Sequence, residues 1–88
     1  MMFTVLLTKK ARKELDALQK DTRDRILLNL QTLRVNPFTG KKLDGEHDGL
    51  WSIRVWPYRI VYTINKDIIT VTVVAIGDRK DVYRRLRQ

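Results

Sequence analysis

The sequence predicts an α+β domain with an N-terminal strand, a helical hairpin, then an antiparallel three-strand meander and a short C-terminal helix. Two observations carry this. Apolar residues recur at helical spacing in the first half, where Ala11, Leu15 and Leu18, then Ile26, Leu27, Leu30 and Leu33, fall on stripes. From Leu50 onward the period drops to two, and Val, Ile, Thr and aromatic residues dominate.

Residues 2–7, Met-Phe-Thr-Val-Leu-Leu, are β-prone and stop at Thr8, a good N-cap for a short helix over 9–18 whose outer face is basic. A second helix is expected over about 22–34, with Asp21 and Asp24 near its positive N-terminus. Asn36-Pro37 ends it, because the residue before proline is pushed out of helical conformation. Gly40, Gly45 and Gly49 then mark a loop that carries Lys41, Lys42 and the single histidine, His47. Trp51, Ile53 and Val55 alternate with Ser52, Arg54 and Trp56, and beyond Pro57 the chain resumes as a strand over 58–64. An Asn65-Lys66-Asp67 turn leads to a central strand over 68–76. Asp78 is the expected cap of a last helical segment over 79–87.

The whole chain, 1–88, reads as one domain, since no composition shift, repeat or low-complexity stretch divides its 88 residues. Eighteen Lys and Arg against ten Asp and Glu leave a net charge of +8, which favours a polyanion, nucleic acid first, as partner. Without cysteine there is no disulfide framework, thiolate metal site or cysteine nucleophile, which fits a cytoplasmic address. The apolar residues at the N-terminus are too few for a signal peptide and run into Lys9 and Lys10, and no stretch approaches a membrane span, so no membrane partner is expected.

Several chemistries are struck out by counting. Gly40-Lys41-Lys42 has Val35 where a P-loop needs its first glycine and Lys42 where it needs a hydroxyl. The glycines cannot form a dinucleotide fingerprint, and one histidine cannot form a His-x-x-x-His zinc site, so neither cofactor nor metal is expected. A Ser-His-acid triad would need Ser52, the only serine, His47 and a carboxylate such as Asp44, Glu46 or Asp48, but Ser52 lies mid-strand without a nucleophile elbow and reads as a small polar residue on a sheet face. His47 reads first as a solvated loop residue, with titration near a bound phosphate as the alternative.

What remains is a set of arginines and aromatics in the second half: Arg54, Trp56, Tyr58, Arg59, Arg79 and Tyr83. For any one arginine a solvated or ion-paired surface role competes with a functional one, and Asp78 and Asp81 are available partners. Convergence favours function. Arg79 and Tyr83, four apart on the expected helix, share a side and follow the strand that should neighbour Arg59. Guanidinium forks bind phosphate oxygens, and aromatic rings give unstacked bases a platform, so together they suit single-stranded RNA.

Leu43-Asp44-Gly45, Gly49-Leu50-Trp51-Ser52-Ile53-Arg54-Val55, Tyr58-Arg59-Ile60-Val61-Tyr62 and Ile76-Gly77-Asp78-Arg79-Lys80-Asp81-Val82-Tyr83 together resemble the RelE/ParE toxin superfamily. The resemblance covers nearly the whole chain and implies a RelE-like toxin of a type II toxin-antitoxin system. Such a toxin is silenced by a RelB-like antitoxin and, when free, cleaves mRNA on the ribosome. It places Arg54, Arg59, Arg79 and Tyr83 at active-site positions; the basic residues Lys41, Lys42, Arg84 and Arg85 are expected to add RNA-binding contacts. Ser52 and Arg54 stand where some RelE-like toxins carry a pair of lysines. A guanidinium holds its proton too tightly to serve as a base at neutral pH, so the general base is unassigned. Two other outcomes are compatible with the resemblance: a ParE-like inhibitor of DNA gyrase that is not a nuclease, and a degenerate toxin that mainly binds its antitoxin.

Overall fold

The computed structural model describes residues 2–86. Its order is β1 (Thr4–Leu7), α1 (Lys9–Asp16), α2 (Lys20–Val35), β2 (Lys41–Lys42), β3 (Trp51–Val55), β4 (Tyr58–Asn65), β5 (Thr70–Asp78) and α3 (Val82–Arg85), with short 3-10 turns at Pro37–Thr39 and Gly45–His47. The strands form one sheet in the order β1-β5-β4-β3-β2. β3, β4 and β5 are the expected antiparallel meander, while β1 returns to pair parallel with β5 and brief β2 flanks β3.

The Oγ1 of Thr8 accepts the Ala11 N–H at 3.1 Å, which satisfies one orphan donor and starts α1. Ala11 and Leu15 then face the sheet, as do Ile26, Leu30 and Leu33 of α2. They meet Ile60, Tyr62, Val71, Val73 and Ile76 in the main core. Burying each large aliphatic chain here contributes on the order of 1.5–3 kcal/mol before ordering costs. Leu27, expected on the stripe, sits one step round the helix and is 42% exposed. Among the described residues no helix is long and apolar enough to cross a membrane.

Several boundaries shift by one or two residues from the sequence reading, and three differences have identifiable reasons. The Asn65 carboxamide accepts from the Asp67 and Ile68 N–H groups, and Ile69 takes a left-handed φ of 51°, so the turn runs on and β5 starts at Thr70 instead of 68. Asp78 does not cap a helix from 79. Its carboxylate accepts the Lys80 N–H at 2.8 Å within a tight turn, and α3 begins only at Val82. Residue 87, the expected last helical position, lies outside the described residues. Lys41 and Lys42, expected in a loop, form a short edge strand because their backbone pairs with Ser52 and Trp51.

One irregularity governs the second face of the sheet. Val61 pairs with Ala75 but Tyr62 pairs with Val73, so β5 carries a bulge at Val74. Val71 and Val73 point to the helices, Val74 and Ala75 both join a smaller core on the opposite face, and Ile76 turns back to the helices. That smaller core is completed by Val61 from β4 and Val82 from α3, with Leu50 packed against it.

Candidate functional site

The minor core fixes a set of polar residues around it. Val82 is fully buried against Val61 and Ala75, which sets the next residue, Tyr83, over β3. There the Tyr83 hydroxyl donates to Ser52 Oγ at 3.1 Å, and Arg59 Nη1 approaches the same oxygen at 3.5 Å. Ser52 is 2% exposed, so its hydroxyl acts as an internal post to which both side chains are tied. It offers no accessible nucleophile.

Arg79 reaches this place from the turn after β5. Its N–H donates to the Pro57 carbonyl at 3.1 Å, anchoring the turn to the β3–β4 connection. The convergence with Tyr83 expected from a shared helix is therefore produced by a turn, a bulge and a docked α3. From the other side comes the loop after β2. A Leu43 N–H to Leu50 carbonyl bond of 2.9 Å closes its base, and Gly45 and Gly49 take φ of 64° and 91°, values that favour glycine. Leu50 inserts into the minor core, and the loop lays the His47 ring 5.2 Å from that of Tyr83, tilted by 38°. The expectation of a solvated histidine is corrected: the His47 side chain is only 20% exposed.

These residues enclose an open cavity of about 500 Å³ lined by Lys41, Lys42, Leu43, Asp44, His47, Arg59, Arg79 and Tyr83. That falls within the ~300–1,000 Å³ of small-ligand clefts. Four cations against one carboxylate, with backbone and an aromatic wall between them, give it a positively charged lining, which favours an anion. The cationic side chains reach it from three separate strands or their ends, so they are held apart and aimed inward.

Not every expected site residue reaches this cavity. Arg59, Arg79, Tyr83, Lys41 and Lys42 line it. Arg54 lies directly across from Arg59 in the β3–β4 register, exposed beside the cavity and not on its wall. Arg84 is ion-paired with Asp81 and lines a different hollow with Glu14, Tyr58 and Asp78. The Arg85 side chain lies outside the described residues. Trp56 is 63% exposed and shares a neighbouring hollow with Pro57 and Arg79. Tyr58 packs on the helix side of the sheet, away from the site. The residue that sequence reasoning left outside the site is His47. Its signal was there in principle: two glycines bracketing it close a loop that ends in the apolar Leu50.

Fold and site define a small basic α+β domain with a positively charged cleft on the sheet face opposite α1 and α2. Residues 5–83 match the family model for the ParE toxin of type II toxin-antitoxin systems. Toxin RelG of Mycobacterium tuberculosis is 33% identical over 91 residues, covering 97% of this chain and all of that protein. Among solved structures, the RelBE2 toxin-antitoxin complex of Mycobacterium tuberculosis contains a chain that superposes with a TM-score of 0.84 at 29% identity, covering 92% of this chain and 95% of that one. The archaeal RelE-RelB complex from Pyrococcus horikoshii OT3 gives 0.78 at 26% identity, covering 90% and 97%. The chain belongs to the RelE/ParE superfamily and is a toxin of a type II toxin-antitoxin system.

Proposed function

We propose that this toxin is a ribosome-dependent mRNA endoribonuclease that inhibits translation and is held silent by a RelB-like antitoxin. The observation that carries the reading is the meeting of Arg59, Arg79, Lys41 and Lys42 with the ring of Tyr83 around one cavity. RNA brings its own nucleophile, the 2′-hydroxyl, so the protein must align it in line with the phosphorus, neutralise the growing phosphate charge and move protons. Arg59 and Arg79 meet that charge. Tyr83, tied through Ser52, presents a ring edge or face to a base, and Lys41 and Lys42 hold the backbone on the far wall. Arg54 steers the strand from outside the cavity. The antitoxin reading draws on the two structural neighbours named above, both solved as toxin-antitoxin complexes.

A second reading has one specific support: the matching family model is described by the ParE toxin. In that case the same basic face engages gyrase and no RNA is cut. Induction of the toxin in cells, with translation and DNA supercoiling followed in parallel, separates the two. Early translation arrest with discrete mRNA cuts is the expected result; gyrase-dependent DNA damage with intact mRNA overturns it.

A further inference from the structure

We infer that His47 is the general base of RNA cleavage at this site, the group that takes the proton from the attacking 2′-hydroxyl; this rests on the nuclease reading above. The need for such a group is chemical. Neither Ser52 nor Arg54 on β3 can serve: the Ser52 hydroxyl is buried and accepts from two sides, and a guanidinium keeps its proton. Imidazole is the side chain whose ordinary titration falls at about pH 5 to 8, and His47 is the only one in the chain.

Geometry places that imidazole in the cavity wall. It shares the wall with Arg59 and Arg79, the two groups suited to the scissile phosphate, and its ring lies against Tyr83. A phosphate held between the guanidiniums therefore brings the adjoining ribose within the space that His47 borders. The loop is closed at its base by the Leu43–Leu50 bond and pinned by Leu50, so the ring is held by the fold. The charged and titratable groups around it are Glu46, whose carboxylate is 3.6 Å from Nε2, and Asp44 on the same loop, Lys41 and Lys42 from β2, Arg59 from β4, Arg79 from the turn after β5, and Tyr83 from α3.

The step balances without any co-reactant except water. Neutral His47 takes the 2′ proton as the 2′ oxygen bonds to phosphorus. The bond from phosphorus to the 5′ oxygen breaks, and that oxygen takes a proton from water on the open side of the cavity. The imidazolium returns its proton to the hydroxide so formed. The products are a 2′,3′-cyclic phosphate and a 5′-hydroxyl, and no net proton is consumed.

Single-turnover cleavage of mRNA on programmed ribosomes tests this across about pH 5 to 8. Wild-type cleavage should rise with pH along an acid limb of unit slope. His47→Gln should be at least ~10²-fold slower and lose that limb, and His47→Ala should regain rate when free imidazole is added. Ribosome affinity of both variants should match wild type. A His47→Gln variant that cleaves with the wild-type rate and profile overturns the assignment and leaves the nuclease reading standing. So does a slow variant that keeps the acid limb and gains nothing from imidazole. A wild-type protein that binds ribosomes yet leaves mRNA intact at every pH overturns the nuclease reading itself, and this inference with it.

Discussion

At the scale of single residues, the two guanidiniums aimed into the cavity should matter more than the one beside it. Arg59→Ala and Arg79→Ala are each expected to slow mRNA cleavage by ~10²- to 10³-fold, the usual cost of removing one preorganised donor to developing charge. Arg54→Ala should cost less, because Arg54 does not line the cavity. Equal effects for all three in a folded series would remove the distinction. Ser52 is the more exacting position. Ser52→Lys would restore the lysine some relatives carry, but it would drive an ammonium into a space that is 2% exposed and already faced by Arg59. A loss of about 3 kcal/mol or more is expected in urea unfolding, with Tyr83 released; a change below about 1 kcal/mol would mean that the side chain escapes to solvent. Tyr62 gives a pH signature. Burial pushes its phenol from 10.0 up to about 12, with the Gly40 backbone opposing in part. The folded state therefore holds this proton more tightly than the unfolded chain. That contribution is complete below about pH 10 and is lost as pH climbs toward 12, a fall of up to about 3 kcal/mol. Tyr62→Phe orphans the Pro37 carbonyl that the hydroxyl reaches at 2.7 Å, so it should be less stable at neutral pH by about 1–3 kcal/mol. The gap should narrow above pH 10; a gap constant across that window would show that the phenol does not titrate in the fold.

At the scale of elements, the link between the helical layer and the site runs through one glycine. A Cβ on Gly40 would collide with the Tyr62 hydroxyl and stand 2.8 Å from the Ser52 carbonyl oxygen. Neither can retreat easily, since the hydroxyl is tied to Pro37 and the carbonyl belongs to β3. Gly40→Ala is therefore expected to cost about 1–3 kcal/mol, read by thermal unfolding, and to shift the β2–β3 pairing that carries Lys41; an unchanged midpoint would show that this turn yields freely. The elements themselves were largely legible in the sequence. Apolar spacing located both helices, and alternation located β3 and β4, because each buries one face and solvates the other. What escaped was set by tertiary partners. The parallel seat of β1 on β5 depends on a chain reversal through two helices. The start of α3 depends on whether Asp78 bonds to a helix or to the Lys80 N–H, and local sequence permits both. The bulge at Val74 is hidden in a run of residues that are all β-prone. Of the expected site, Arg59, Arg79 and Tyr83 were legible through motif order, whereas His47 was not, because a polar loop residue reveals its burial only when Tyr83 arrives from α3.

At the scale of the whole molecule, a net charge of +8 makes association with nucleic acid or ribosome salt-dependent. If the four cavity cations each neutralise one phosphate of single-stranded RNA, the plot of log affinity against log salt should have a slope near −3. The Lys41→Ala, Lys42→Ala double variant should flatten it by about 1.4. Identical slopes for variant and wild type would place the phosphate contacts elsewhere on the surface. An antitoxin helix rich in acidic residues would complement the same charge, and its association rate should fall as salt rises.

The bulge in β5 gives the strand two opposite parities. Odd-numbered Val71 and Val73 face the helices before it, and even-numbered Ile76 faces them after it. Residue count between Val71 and Ile76 is thus as binding a specification as residue type. Removing Val74 or Ala75 would restore a plain ladder with Val71, Val73 and Ile76 still facing the helices, whereas removing Thr72 would force a choice: keep the first half in register and turn Ile76 to water, or keep Ile76 and invert the half that holds β1. The first choice also rotates the strand's exit, and with it the direction in which Arg79 departs. Point substitutions along β5 can be graded by size and polarity, but a change of length is mild only at the bulge.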